Sequence, residues 1–224
     1  MSFYHKDCLM PNPRYFYCTL AIAVVIFIAC LLMAGPMRPG LPVVTDLPVR
    51  LAYIQSHLAV WQLGWLFWMA AALSLLLFCC LLASAIPQSP VRQFGLLLVA
   101  LGIAPDLAAE TLYAFVFPAM ISASSSVELL HFIDQLAMHL TGFLGNGLYN
   151  IGGLILTLLL LLHKPGLKLW IFPGILAWVA GLGLSMAIAL QQMALAEALT
   201  AFSMALSTAW FVLIAYKLWI KADV

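Results

Sequence analysis

YFYCTLAIAVVIFIACLLMAG, from Tyr15 to Gly35, passes through twenty-one positions without a charged side chain and stops at Pro36. A helix needs about 20 mostly apolar residues to cross a hydrocarbon core of roughly 30 Å, so the stretch reads as a membrane span. It follows a short segment carrying Lys6 and Arg14, as a secretory signal does. Its apolar core exceeds the roughly 7–15 residues of a signal's hydrophobic region, however, and no A-x-A cleavage site follows. The expectation is a retained helix.

Five more segments of this kind follow, over about 60–86, 92–121, 140–163, 169–191 and 197–219. The turn-like Pro87-Gln88-Ser89-Pro90 separates the second from the third. The expected fold is all-α: a polytopic six-transmembrane-helix bundle, with residues 1–224 as a single transmembrane domain. Composition agrees, since 66% of the 224 residues are hydrophobic and 8% charged, where soluble domains run at about half apolar and a quarter charged. That leaves too few charges to cover a water-soluble surface. Nine Lys and Arg against eight Asp and Glu form no large basic face, which excludes nucleic acid as a partner. Cys8, Cys18, Cys30, Cys79 and Cys80 are odd in number and lack CxxC spacing. They read as small packing residues rather than as disulfides or a zinc site.

Cations set the orientation. With the N-terminus inside, the inner segments carry Lys6, Arg14, Arg92, Lys164, Lys168, Lys217 and Lys221, and the outer ones only Arg38 and Arg50. Seven against two is a positive-inside bias, giving cytoplasmic termini, with a bacterial inner membrane as the expected location. Trp61 and Trp65 at the outer end, and Tyr216 and Trp219 at the inner, stand where interfacial aromatics belong. The outer loop, 36–59, starts with Pro36, Pro39, Pro42 and Pro48. Within it, Leu47 to Leu58 suits a short interfacial helix with Leu51, Ile54 and Leu58 on one face. Small residues should mark helix contacts in a membrane. Ala177, Gly181, Ser185 and Ala189 recur every fourth position, and Ala198, Ala201, Ala205 and Ala209 answer them. The fifth and sixth spans are therefore expected to pair closely.

Acidic residues inside a bilayer are costly and need an explanation. Asp106 and Glu110 are four apart on the third span, hence on one face. Pro105 beside them removes a backbone bond. The fourth span is unusual in length, since no proline interrupts Val127 to Leu162, about 54 Å of helix. Either an extension over about 127–139 lies outside the membrane, or the helix breaks near Gly142, Gly145 and Gly147. Glu128, His131, Gln135, His139, Gly142, Asn146 and Asn150 draw a polar stripe along it. Depths counted from Phe94 and Leu162 match Asp106 with Asn150 and Glu110 with Asn146, with His139 and, beyond it, His131, Asp134 and Glu128 at the outer mouth.

One account of this seam is packing alone, a protonated carboxyl and an amide satisfying one another. The other is a path or pocket for protons, a cation or a small polar ligand, or a membrane-enzyme site, built on Asp106, Glu110, Asn146, Asn150 and His139. Cofactors are not legible. Glu128 and His131 form one E-x-x-H pair, which with His139, Asp134 and His57 gives a weak metal set, since carboxylate-bridged sites use two such pairs. Bis-histidine haem is weaker still, because His131 and His139 share a helix. His163, with Lys164 and Lys168, reads as an interfacial group, and Gln191, Gln192 and Glu197 as a wet outer turn. P-loop, H-E-x-x-H, G-x-S-x-G and complete G-x-G-x-x-G motifs are absent from the sequence, Gly181 and Gly183 lacking a third glycine. Two function classes stay open: a transport, channel or membrane-enzyme unit, and a non-catalytic subunit or assembly factor of a larger complex. Lipid is the partner in both, with a homo-oligomer or larger membrane complex beside it.

Overall fold

The computed structural model describes residues 12–44 and 46–221, so the readings of Lys6 and Cys8 fall outside the described residues. Among the described residues there are seven helices: α1 Pro13–Ala34, α2 Leu47–Ser56, α3 Leu58–Ser84, α4 Pro90–Ser122, α5 Val127–His163, α6 Lys168–Ala189 and α7 Met193–Trp219. All but α2 belong to segments long and apolar enough to cross a membrane. Starts follow capping chemistry. The side chains of Asp46, Ser89 and Ser126 accept from the N–H groups of Val49, Arg92 and Leu129. Pro48 and Pro90 occupy first-turn positions where no N–H is needed. Leu97, Leu162, Leu169 and Phe172 stay exposed on outer faces, apolar surface suited to lipid contact.

The six long helices close into a ring. Each packs on the next in sequence, α1 on α3, then α4, α5, α6 and α7, and α7 returns to α1. One end of the ring carries the 36–57 segment and is called here the loop end; the other carries Arg92, Lys164 and Lys168 and is called the basic end. One apolar cluster, with Phe78, Trp178, Trp210 and Phe211, fills the basic half. A second, with Met37, Ile54, Trp61, Trp65, Tyr113 and Phe117, fills the loop half.

Glycines set the α4–α5 register. A Cβ on Gly152 would lie 2.5 Å from the Gly95 carbonyl, and one on Gly102 would lie 2.6 Å from the Gly145 carbonyl. Each helix thus offers two glycines seven residues apart, paired antiparallel, and the backbones touch. The same register brings Asp106 level with Thr141 and Gly145. It displaces the expected pairing of Asp106 with Asn150 and Glu110 with Asn146 by about nine residues, roughly two and a half turns, because the ends of apolar runs do not mark equal depths on two helices.

Helices α6 and α7 do pack against each other extensively, but not along the expected stripes. Gly174 takes the Trp210 indole, where a Cβ would come within 2.3 Å of the ring, and the indole N–H donates to the Trp170 carbonyl at 2.8 Å. Gly181 and Ser185 face Asn150 and Asn146 of α5 instead. Ala198, Ala201, Ala205 and Ala209 are all exposed on the outside of α7. The aromatics differ as well. Trp61, Trp65 and Trp219 are buried in the core, and of the four expected at an interface only Tyr216 is exposed.

Helix α5 does not break near Gly142, Gly145 and Gly147. It runs through 37 residues, and a π-type segment over His139–Gly145 takes the place of a break. There the Asn146 N–H reaches back five residues to the Thr141 carbonyl. Helix α4 has a matching segment over Leu112–Val116, where the Phe117 N–H bonds the Leu112 carbonyl. Pro118 follows with no N–H to continue that pattern. The carbonyl it would have used, that of Tyr113, accepts the Trp61 indole N–H at 2.7 Å. Such π-type turns mark places where a helix re-aims its side chains, and here they flank the acids.

Candidate functional site

Two polar groups of residues lie inside the ring, and their chemistry differs. At the loop end, Arg50 of α2 is 4% exposed and Asp134 of α5 is 3% exposed. They form a two-armed pair, Nη1 to Oδ2 and Nη2 to Oδ1, both at 2.8 Å. Arg50 Nε donates to the Gly40 carbonyl at 3.1 Å, and the Tyr113 hydroxyl donates to the Asp134 carbonyl at 3.0 Å. Trp65 stacks on the Tyr113 ring with centroids 4.7 Å apart. Every charge here has a partner, as burial demands. The proline-rich segment and α2 are thereby held against α4 and α5; α2 turns Arg50 and Ile54 inward, whereas Leu58, expected on the same face, opens α3 and is exposed. Sequence reasoning treated Arg50 as a marker of orientation and missed this pair. The one available signal was its position a turn before Ile54 on the buried face.

The second group sits deeper. Asp106 is 3% exposed, and its Oδ1 accepts the Thr141 hydroxyl. Glu110, one turn on, is 0% exposed, and no protein donor among the described residues reaches either carboxyl oxygen. A carboxylate there asks for donors or a counter-charge that the chain does not supply. The amides face the other way. Asn146 Nδ2 donates to the Gly181 carbonyl at 2.6 Å and to Ser185 Oγ at 2.8 Å. Asn150 Nδ2 donates to the Asn146 carbonyl at 2.7 Å and to Asn146 Oδ1 at 2.9 Å. Glycine at 181 makes room, since a Cβ there would lie 2.1 Å from Asn150 Oδ1.

Asp106, Asn146 and Asn150 nevertheless meet at one place. They border a cavity of about 80 Å³ at the centre of the ring, and all six long helices contribute to its wall. From α7 come Thr200, Ser203 and Ser207, and Trp68, Trp178 and Phe211 complete much of the remainder. Space of this size holds roughly five waters.

The other candidates lie apart. His139 is half-buried, and its Nδ1 bonds the Gln135 carbonyl at 2.8 Å. Glu128 and His131 are exposed, Asp134 is taken up by Arg50, and His57 stacks on Tyr53 at the α2–α3 junction. Among the described residues no three His, Cys, Asp or Glu side chains gather as a metal ion requires. His131, Asp134 and Gln135 do border a second hollow of about 240 Å³ at the loop end, together with Arg50 and Gln191. Comparison with family models, with curated proteins and with solved structures finds no match for the chain.

Proposed function

We propose that the protein is an integral membrane protein of the bacterial inner membrane, with both termini cytoplasmic, whose central cavity and adjoining acids form a pocket or path for protons, a cation or a small polar ligand. The observation that carries the reading is Glu110, a fully enclosed carboxyl without a donor among the described residues, one turn from Asp106, which itself borders the central cavity. Buried charges kept only for packing find counter-charges, as Arg50 and Asp134 do; intramembrane acids without partners mark functional sites. The orientation is supported by Arg14, Arg92, Lys164, Lys168, Lys217 and Lys221 at the basic end. Arg50, neutralised by Asp134, no longer counts against it.

The test is the double replacement Asp106→Asn with Glu110→Gln, assayed in proteoliposomes for cation-dependent and proton-dependent fluxes. Loss of a flux in a variant that unfolds at the wild-type temperature supports the reading. Unchanged fluxes together with lower thermal stability would assign the seam to packing.

A second reading, a non-catalytic subunit or assembly factor, is favoured by the outward alanine face of α7, Ala198 to Ala209. Small residues let another helix approach closely in lipid. Co-purification with a stoichiometric membrane partner would support it, and a lone monomer in mild detergent would count against it.

A further inference from the structure

Most of the donors around the central cavity are already spent. Both Nδ2 hydrogens of Asn146 and both of Asn150 are committed, and backbone carbonyls among their acceptors fix which end of each amide is nitrogen. On α7, the Thr200 hydroxyl donates to the Ala196 carbonyl, Ser203 to that of Thr200, and Ser207 to that of Met204. Each of these oxygens keeps lone pairs and has no proton left to give. The Trp178 indole N–H is likewise committed, to Thr157 Oγ1 at 2.8 Å. The wall's remaining donors are the Tyr149 hydroxyl and the Trp68 indole, both on aromatic rings. Asp106 adds a buried carboxyl, open to the cavity beyond its bond from Thr141.

A cavity with many acceptors, one acid, aromatic rings and only two free donors disfavours anions and leaves a hydroxyl-rich neutral ligand few partners for its lone pairs. It suits a compact cation that brings its own N–H donors, because acceptors, carboxylate and rings then all contribute. We propose that the central cavity binds a small protonated primary amine, of the size of methylammonium. The ammonium would lie between Asp106 and the oxygens of Ser203 and Ser207, with Trp68, Trp178 and Phe211 around its carbon. The inference rests on the pocket reading above and narrows it from any proton, cation or polar ligand to one class.

Trp68 and Trp178 on the wall supply a reporter. Purified protein in detergent is titrated with methylammonium chloride while tryptophan emission is followed, with sodium chloride and sodium acetate as controls at equal ionic strength. A saturable change with methylammonium alone is expected, lost in Asp106→Asn and shifted about tenfold to higher concentration in Ser203→Ala with Ser207→Ala. Ala72→Phe, which fills the cavity from α3, should abolish the response while unfolding remains cooperative. That variant decides the matter if Asp106→Asn does not fold. An equal saturable response to sodium chloride overturns the amine assignment and leaves the pocket reading standing, as does a response to acetate that Asp106→Asn retains. No response to any of the three salts, with fluxes indifferent to the Asp106→Asn and Glu110→Gln pair, overturns both.

Discussion

Arg50 with Asp134 at the loop end, and Asp106 with Glu110 in the middle of the ring, are both pairs of buried ionisable residues. The first pair answers itself, donor to acceptor on two arms, with Tyr113 and Gly40 taking up what remains. The second is two groups of the same sign, one holding a single hydroxyl and the other nothing. The difference separates architecture from availability. A closed pair holds elements together, whereas acids without partners weaken a fold unless something else engages them.

Breaking the closed pair should have the largest effect. Asp134→Ala leaves a guanidinium enclosed and uncompensated, and should cost about 3–5 kcal/mol in denaturant unfolding of the detergent-solubilised protein. Replacing both partners, Arg50→Met with Asp134→Leu, should recover most of that; a double variant no better than the single would deny the pair its structural role. Next comes the glycine register of α4 on α5. Gly152→Ala places a methyl 2.5 Å from one backbone atom and 2.9 Å from another, so α4 and α5 must separate, at about 1–3 kcal/mol. Gly166→Ala, with nothing within 4 Å, is the control and should be silent; equal losses at both sites would remove the register from the account.

The open pair predicts the opposite sign. Glu110→Met deletes an unpartnered polar group and should raise stability by about 1–2 kcal/mol, measured in the same unfolding series. A fall instead would mean that Glu110 has a partner in the membrane, and the contrast between the two regions would vanish. Smallest is the exposed Arg38–Glu197 pair. Glu197→Gln should leave the unfolding curve where it is, since solvent screens such contacts; a clear loss would make the tie from the loop to α7 structural.

The six long helices were legible because hydropathy sums over some twenty residues and forgives local error. The short helix α2 was legible from the spacing of Leu51, Ile54 and Leu58, although Leu58 turned out to open α3. Asp106 and Glu110 on one face, and the polar stripe through Asn146 and Asn150, followed from helical periodicity alone. What those side chains meet did not. Gly95, Gly102, Gly145 and Gly152 carry the register, but a pair of glycines seven apart has no meaning until its partner helix is known. Counting positive residues treats an arginine as a surface marker, which concealed Arg50's attachment to a residue 84 positions away. The π-type turns leave no mark in hydropathy, and they redirect each helix between the loop-end cluster and the cavity.

That separation of 84 residues also imposes an order in time. A ribosome adding about 5–20 residues each second completes Asp134 roughly ten seconds after Arg50. For that interval Arg50 lacks the partner that encloses it in the finished fold, which favours keeping α2 in the aqueous or headgroup layer while α3 and α4 are made. The cap closes when the Asp134 end of α5 arrives, which makes the finishing of the loop end a late event in the birth of the molecule.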